Sequence, residues 1–202
     1  MLPDKGAKVY SVTSTVGSEG KTFISANLGA LIAMTGKKTI ILDLDLRKPK
    51  VHLAFGDEPS TYGLSTLLIG KHKVSESIQH TEIENLDYIA AGPIPPNPSE
   101  LLLRDSFEEL ITELKKTYAV LILDTPPVGL VTDGLLAMKK VDLPIYVLKA
   151  NYSHVSFIDN INRLIKSGQF NNLSIIFNGT TNSRSGYSHK YGSGKKDAYF
   201  EV

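Results

Sequence analysis

Hydrophobic positions recur along this chain in two rhythms. Short unbroken apolar runs alternate with longer stretches in which apolar residues return every three or four positions. The runs are Lys8 to Val12, Thr39 to Leu42, Leu86 to Ala90, Ala119 to Leu123, Leu143 to Leu148 and Leu173 to Phe177. Each reads as a buried strand, with Pro144 restricting hydrogen bonding at the start of the fifth. Helical spacing covers Gly20 to Met34, with Phe23, Ala26, Asn27, Ala30 and Ala33 or Met34 on one face. Gly36 stands where a C′ glycine ends such a helix. A helix in one or two parts is expected up to Lys116, with Asn97 as N-cap, Pro98 at N1 and Glu100 at N3. Thr132 to Lys140 and Val155 to Lys166 complete the helices, and Gly168 follows the last. Lys48 to Tyr62 reads as loop, Leu64 to Ile69 and Val74 to Ile78 as helical turns, and Gly92 to Pro98 as a stiff connection. Continuous strands separated by helices predict an α/β fold: a mostly parallel sheet with helices on both faces. Ligands in such folds sit at the C-terminal strand ends.

Those ends carry the chemistry. The first strand runs into Thr13-Ser14-Thr15-Val16-Gly17-Ser18-Glu19-Gly20-Lys21-Thr22, and a helix follows. Strand, glycine-containing loop and helix form the context of a phosphate-binding loop, so the fold is expected to be P-loop NTPase-like. Gly17 and Gly20 would let backbone N–H groups approach a phosphate, and the helix N-terminus adds partial positive charge. Lys21 can reach the β- and γ-phosphates, and the Thr22 hydroxyl can take one position on Mg²⁺. Thr15 stands where G-x-x-x-x-G-K-[ST] has its first glycine, so an ordinary βα turn is the competing reading.

The other strand ends point the same way. Asp43 and Asp45 lie two apart and share a face while the chain stays extended. Such a pair can hold a divalent ion or accept a proton. Asp124 ends a further strand and suits a Mg²⁺-holding role, and Asn178 ends the last. Helix capping is the plain alternative for any one Asp, but it explains all three beside this loop poorly.

Composition narrows the class. Among 202 residues, 42% hydrophobic and 21% charged residues indicate a soluble globular domain with a core. A net charge of +1 gives no basic field for nucleic acid. Without cysteine there is no disulfide, thiolate metal site, cysteine nucleophile or iron–sulfur cluster. No apolar run approaches the 18 or so residues of a membrane span, and no signal peptide is expected. The domain is expected over 1–178 and a flexible tail over 179–202, rich in Ser, Gly, Lys and Asn. That tail holds Tyr187, Tyr191 and Tyr199, which read either as rings that dock or as phenol nucleophiles.

Taken together, Ser14 to Thr22, Ile40-Ile41-Leu42-Asp43-Leu44-Asp45-Leu46-Arg47 and Val120-Leu121-Ile122-Leu123-Asp124-Thr125-Pro126-Pro127 resemble the three signatures of the bacterial tyrosine kinases of capsule and exopolysaccharide synthesis. Arg47-Lys48-Pro49 with His52, Gly63-Leu64-Ser65, and Gly92-Pro93 through Pro96-Asn97-Pro98-Ser99-Glu100-Leu101-Leu102 also look familiar. The resemblance runs from about Lys8 to Asn178. It implies ATP and Mg²⁺ as cofactors and Lys21, Asp43, Asp45 and Asp124 as catalytic residues. Thr22, Asp45 and Asp124 would serve the metal, and Gly17, Ser18, Glu19, Gly20, Lys21, Thr22, Phe23, Arg47 and Asn178 the nucleotide, Asn178 at the adenine. Tyr187, Tyr191 and Tyr199 would accept phosphate between subunits of a homo-oligomeric ring. A transmembrane activator or fused transmembrane region, a cognate phosphotyrosine phosphatase and a place at the inner face of the cell membrane are implied too.

Two departures stand out. The family loop reads Pro-Gly-x-Gly-Lys, whereas Gly17-Ser18-Glu19-Gly20-Lys21 shifts the glycine and drops the proline. The family's E-x-x-R-x-x-R helix before the loop has no match, which leads to the expectation of a shortened chain. The rival readings are a partitioning ATPase, which needs a lysine where Val16 stands, a nucleotide-gated docking module, and a small-molecule kinase.

Overall fold

The computed structural model describes residues 6–129, 138, 141–168, 170 and 172–181. The first strand, β1 (Lys8–Ser14), leads through the glycine loop into α1 (Lys21–Ala33) and on to β2 (Thr39–Asp43). Short helices α2 (Val51–Ala54), α3 (Leu64–Leu68) and α4 (Val74–Ser77) precede β3 (Ile78–His80) and β4 (Leu86–Ile89). Then come α5 (Pro98–Leu103), α6 (Asp105–Leu114), β5 (Val120–Asp124), β6 (Leu143–Lys149), α7 (Phe157–Lys166) and β7 (Ser174–Asn178). The expected helix at Thr132 to Lys140 lies outside the described residues except for Met138, which is helical and buried.

The strands form one sheet in the order β3-β4-β2-β5-β1-β6-β7. Every neighbouring pair is parallel except β3 with β4. The α/β expectation therefore holds, with the loop-bearing strand near the centre. Every residue of β2 and β5 is buried, which is what an unbroken apolar run requires. Alternate side chains serve opposite faces. Ile40 and Leu42 pack with Leu64, Leu101, Phe107 and Leu110, while Ile41 packs with Ala33, Val51 and Tyr88. Cover on both faces does not extend to the edge: β7 alternates, leaving Ile175 and Phe177 exposed.

Two elements escaped the sequence. β3 is three residues long and partly polar, so its antiparallel pairing with β4 left no periodic trace. α2 is a single turn inside the predicted loop. The break between α5 and α6 falls at Arg104, in extended backbone. Asn97 does occupy the N-cap of α5, with Pro98 at N1, but its side chain makes no capping bond and donates to Glu100 Oε2 instead.

The face of α1 corrects the reading. Its buried positions are Lys21, Ser25, Gly29 and Ala33, whereas Phe23, Leu31 and Met34 are 62%, 64% and 75% exposed. At Gly29 the helix lies too close to the sheet for a side chain. A Cβ on Gly29 would stand 2.8 Å from Ile41 Cδ1 and 3.2 Å from Leu86 Cδ1. Small residues therefore take the line nearest the sheet, Ile24, Leu28 and Ile32 pack half-buried against the core, and Phe23, Leu31 and Met34 face out.

The glycine loop contains a strained residue. Ser18 has φ +65°, in the left-handed region that side chains disfavour by about 1–2 kcal/mol. Gly17, by contrast, would accept a Cβ with nothing within 4 Å. Ser18→Gly removes the strain but loosens the unfolded chain by about 0.4–1 kcal/mol. The expected net result is a rise in melting temperature of about 2 °C. Gly63→Ala runs the other way. Its Cβ would lie 2.4 Å from Gly92 N and 2.5 Å from Ala90 O, both backbone, so a loss of about 2 kcal/mol in urea unfolding is expected.

Candidate functional site

Strand register assembles the rim. Asp43 pairs with Asp124 across β2 and β5, and Asp124 pairs with Val12 of β1 just before the loop. Two carboxylates are thus neighbours, and both are buried. Asp124 is held from α1: the Thr22 hydroxyl donates to Oδ2 at 2.7 Å and the Ser25 hydroxyl to Oδ1 at 2.9 Å. Burial pushes its pKa upward, while the Lys21 charge and the two hydroxyl donors pull it back. Lys21 itself is buried at the first position of α1. The sequence reading missed Ser25, although it lies one turn beyond Lys21 on the same face.

Asp43 spends both oxygens on backbone. Lys50 N–H and Val51 N–H donate to Oδ2, each at 3.0 Å, and Asp45 N–H donates to Oδ1 at 3.1 Å. Burial, with Asp124 alongside, raises its pKa well above the ordinary carboxylate range, against the pull of those donors. β2 ends at Asp43, but Leu44 N–H still bonds Asp124 O at 2.8 Å, and Leu42, Leu44 and Leu46 pack in one cluster, so the alternation that puts Asp43 and Asp45 on one side runs on past the strand. Asp45 is half-buried, and its Oδ1 takes Lys48 N–H at 3.1 Å. Arg47 is exposed and donates to Ser99 Oγ at 3.2 Å, bracing this turn against the start of α5.

The loop leaves Gly17 and Ser18 exposed and turns Glu19 fully inward. Glu19 Oε2 accepts Val16 N–H at 2.8 Å, and Oε1 accepts the Ser153 hydroxyl. Gly20 has φ +97°, and a Cβ there would meet Asn178 Nδ2 at 2.2 Å. That amide donates to Glu19 O at 3.0 Å, so Asn178 reaches the loop from the far strand. Phe23 faces outward. Tyr187, Tyr191 and Tyr199 lie outside the described residues.

The donor set matches a hard, oxygen-seeking cation. One hydroxyl and carboxylates converge beside the loop, and among the described residues no three His, Cys, Asp or Glu side chains form a closed metal cluster. Mg²⁺ binds through few protein oxygens, water and phosphate, so an open site of this kind fits it. The groove of about 770 Å³ lined by Val74, Arg104 and Glu109 contains none of these residues. Among the described residues no helix is long and apolar enough to cross a membrane.

Comparison with known proteins agrees with this geometry. The family described as an AAA domain matches residues 7–175. CapB of Staphylococcus aureus is 36% identical over 186 residues, 92% of this chain and 81% of that protein. The tyrosine-protein kinase YwqD of Bacillus subtilis is 33% identical over 198 residues, 98% of this chain and 82% of that protein. The tyrosine-protein kinase Wzc of Salmonella typhi is 38% identical over 141 residues, 70% of this chain but 20% of its own length. Among solved structures, the chimerical protein CapA2B2 superposes with a TM-score of 0.80 at 38% identity, covering 87% of this chain and 77% of that one. The septum site-determining protein MinD from Pyrococcus horikoshii, complexed with Mg-ADP, gives 0.67 at 25% identity over 85% of this chain and 69% of its own. The P-loop fold, the paired carboxylates of the rim and these relatives agree: the chain belongs to the bacterial protein-tyrosine kinases of capsule and exopolysaccharide biosynthesis.

Proposed function

We propose that this chain transfers the γ-phosphoryl group of ATP to tyrosines of its own C-terminal tail, Tyr187, Tyr191 and Tyr199, on a neighbouring copy. The observation that carries the reading is the contact of Thr22 with Asp124 at 2.7 Å, beside Lys21 and next to Asp43. Gly17, Ser18, Glu19, Gly20, Lys21, Thr22 and Phe23 form the nucleotide loop. Thr22, with Asp45 and Asp124, holds Mg²⁺, which when bound neutralises charge on the β- and γ-phosphates.

The residues divide the work. Lys21 offsets charge on the transferring group. The tyrosine oxygen forms the new bond to phosphorus as the bond to the ADP oxygen breaks, and the phenol proton leaves late. Asp43 has no exposed surface and both oxygens engaged, so it shapes the rim. Asp45 retains an accessible carboxylate for a metal-bound water or for the phenol proton. Asn178 donates one amide proton to Glu19 O and keeps its carbonyl oxygen for the adenine amino group. Arg47 stands at the mouth, braced on Ser99.

Working between copies calls for a subunit contact. The outward stripe of Phe23, Leu31 and Met34 beside the loop supports assembly into a ring, because apolar side chains aligned on one helix face favour burial against a partner. The fifth of Wzc that this chain matches supports a kinase domain working with a fused or separate transmembrane activator at the inner membrane face. Control of polysaccharide polymerisation and export, with a cognate phosphotyrosine phosphatase resetting the tail, completes the proposal.

Intact mass after incubation with Mg·ATP tests it. The wild type is expected to gain one to three phosphates on Tyr187, Tyr191 and Tyr199, and Lys21→Met none. Addition to Ser or Thr, or no addition when a membrane activator segment is present, would overturn the reading. Asp43 and Asp45 should separate in a second experiment. Asp43→Asn sets an amide NH₂ among backbone donors and is expected to cost about 2 kcal/mol of stability. Asp45→Asn should leave stability nearly intact but lower the phosphorylation rate about 100-fold.

A further inference from the structure

We propose that Lys149, Tyr152, Ser153 and Asn178 form a clamp that sets the glycine loop for phosphate, with Glu19 as the handle it grips. This rests on reading the loop as a phosphate site. A loop of this kind works only when its N–H groups face inward, which requires its carbonyls to turn outward. Three consecutive carbonyls are held in that way. Tyr152 OH donates to Gly17 O at 3.1 Å, Lys149 Nζ to Ser18 O at 3.3 Å and Asn178 Nδ2 to Glu19 O at 3.0 Å.

A fourth contact fixes the loop by its side chain. Lys149 N–H donates to Ser153 Oγ at 2.8 Å, and the Ser153 hydroxyl donates to Glu19 Oε1. A carboxylate facing a polyanion would repel it. Glu19 avoids this by turning fully inward, with its other oxygen on Val16 N–H. Beneath the loop, Thr15 Oγ1 and Tyr146 OH lie 2.7 Å apart.

The clamp follows from register. Ser14 pairs with Val147, which places the end of β6 beside the loop, and Lys149 pairs with Asn178 at the end of β7. The Lys149 ammonium also lies 5.3 Å from the centre of the Tyr152 ring, keeping the two donors together. The clamp supplies from outside what the loop lacks within. Thr15 replaces the first glycine, no proline stiffens the turn, and Ser18 sits in left-handed backbone.

The test uses Tyr152→Phe, Ser153→Ala and the double variant, with affinity measured for Mg·ADP and for Mg·pyrophosphate. Tyr152→Phe removes one hydrogen bond to the loop, and Ser153→Ala removes the one to Glu19 together with the acceptor of Lys149 N–H. Each is expected to weaken both ligands by about fivefold, and the double change by more than tenfold. Ser153→Thr should restore binding. KM for ATP should rise in step while kcat falls less than twofold. Weakening of ADP with pyrophosphate unaffected would overturn the proposal, because the residues would then be touching the base rather than setting the loop. Variants that bind as tightly as wild type would overturn it too, as would affinity losses that merely track the melting temperature of the nucleotide-free protein. A wild type that binds neither ligand would overturn the phosphate reading and the clamp together.

Discussion

Two carboxylates side by side and out of water are the constraint from which the rest of the rim follows. Asp43 and Asp124 end adjacent strands, and burying each charge costs several kcal/mol unless it is compensated. The chain compensates them differently. Asp124 takes hydroxyls from the first turn of α1, which ties the helix start to β5 and brings the Lys21 charge close. Asp43 takes backbone N–H groups from Asp45, Lys50 and Val51, which folds the segment after β2 back over the strand end. One carboxylate therefore positions the phosphate-binding helix, and the other shapes the loop that presents Asp45.

Much of this was legible in the chain, because the signals were local. Unbroken apolar runs marked β2 and β5, and aspartates at their ends marked the rim. Parallel strands carry their functional residues at one end, so position along the chain became position in space. Where the signal depended on distance, it failed. The inward face of α1 is set by its closeness to Ile41 and Leu86, which no periodicity encodes. Ser25 and Ser153 are ordinary serines until their partners, Asp124 and Glu19, arrive from far along the sequence. Nor could the sequence show that Asp43 spends its carboxylate on the N–H groups of Asp45, Lys50 and Val51.

The family resemblance and the geometry meet at Ser18. The family loop places glycine one position before the residue preceding Gly-Lys, and that position is Ser18, with positive φ. The glycine at 17 sits where the family has proline and needs no special conformation. The loop thus takes positive φ at the family's glycine position although its own glycine is displaced by one. Side chains from the ends of β6 and β7 are placed to hold that turn.

The edge position of β7 has a consequence for how the site comes into being. Its last residue, Asn178, reaches Glu19 across 159 positions, and Thr22 reaches Asp124 across 102. Contacts of such separation form late in folding, after the cost of closing long loops has been met. With Ile175 and Phe177 open on one side, β7 is also the strand with less to hold it. The phosphate loop would then be complete only when β7 docks, so a chain still acquiring its edge would hold Lys21, Thr22 and Asp124 without the clamp that aims the loop.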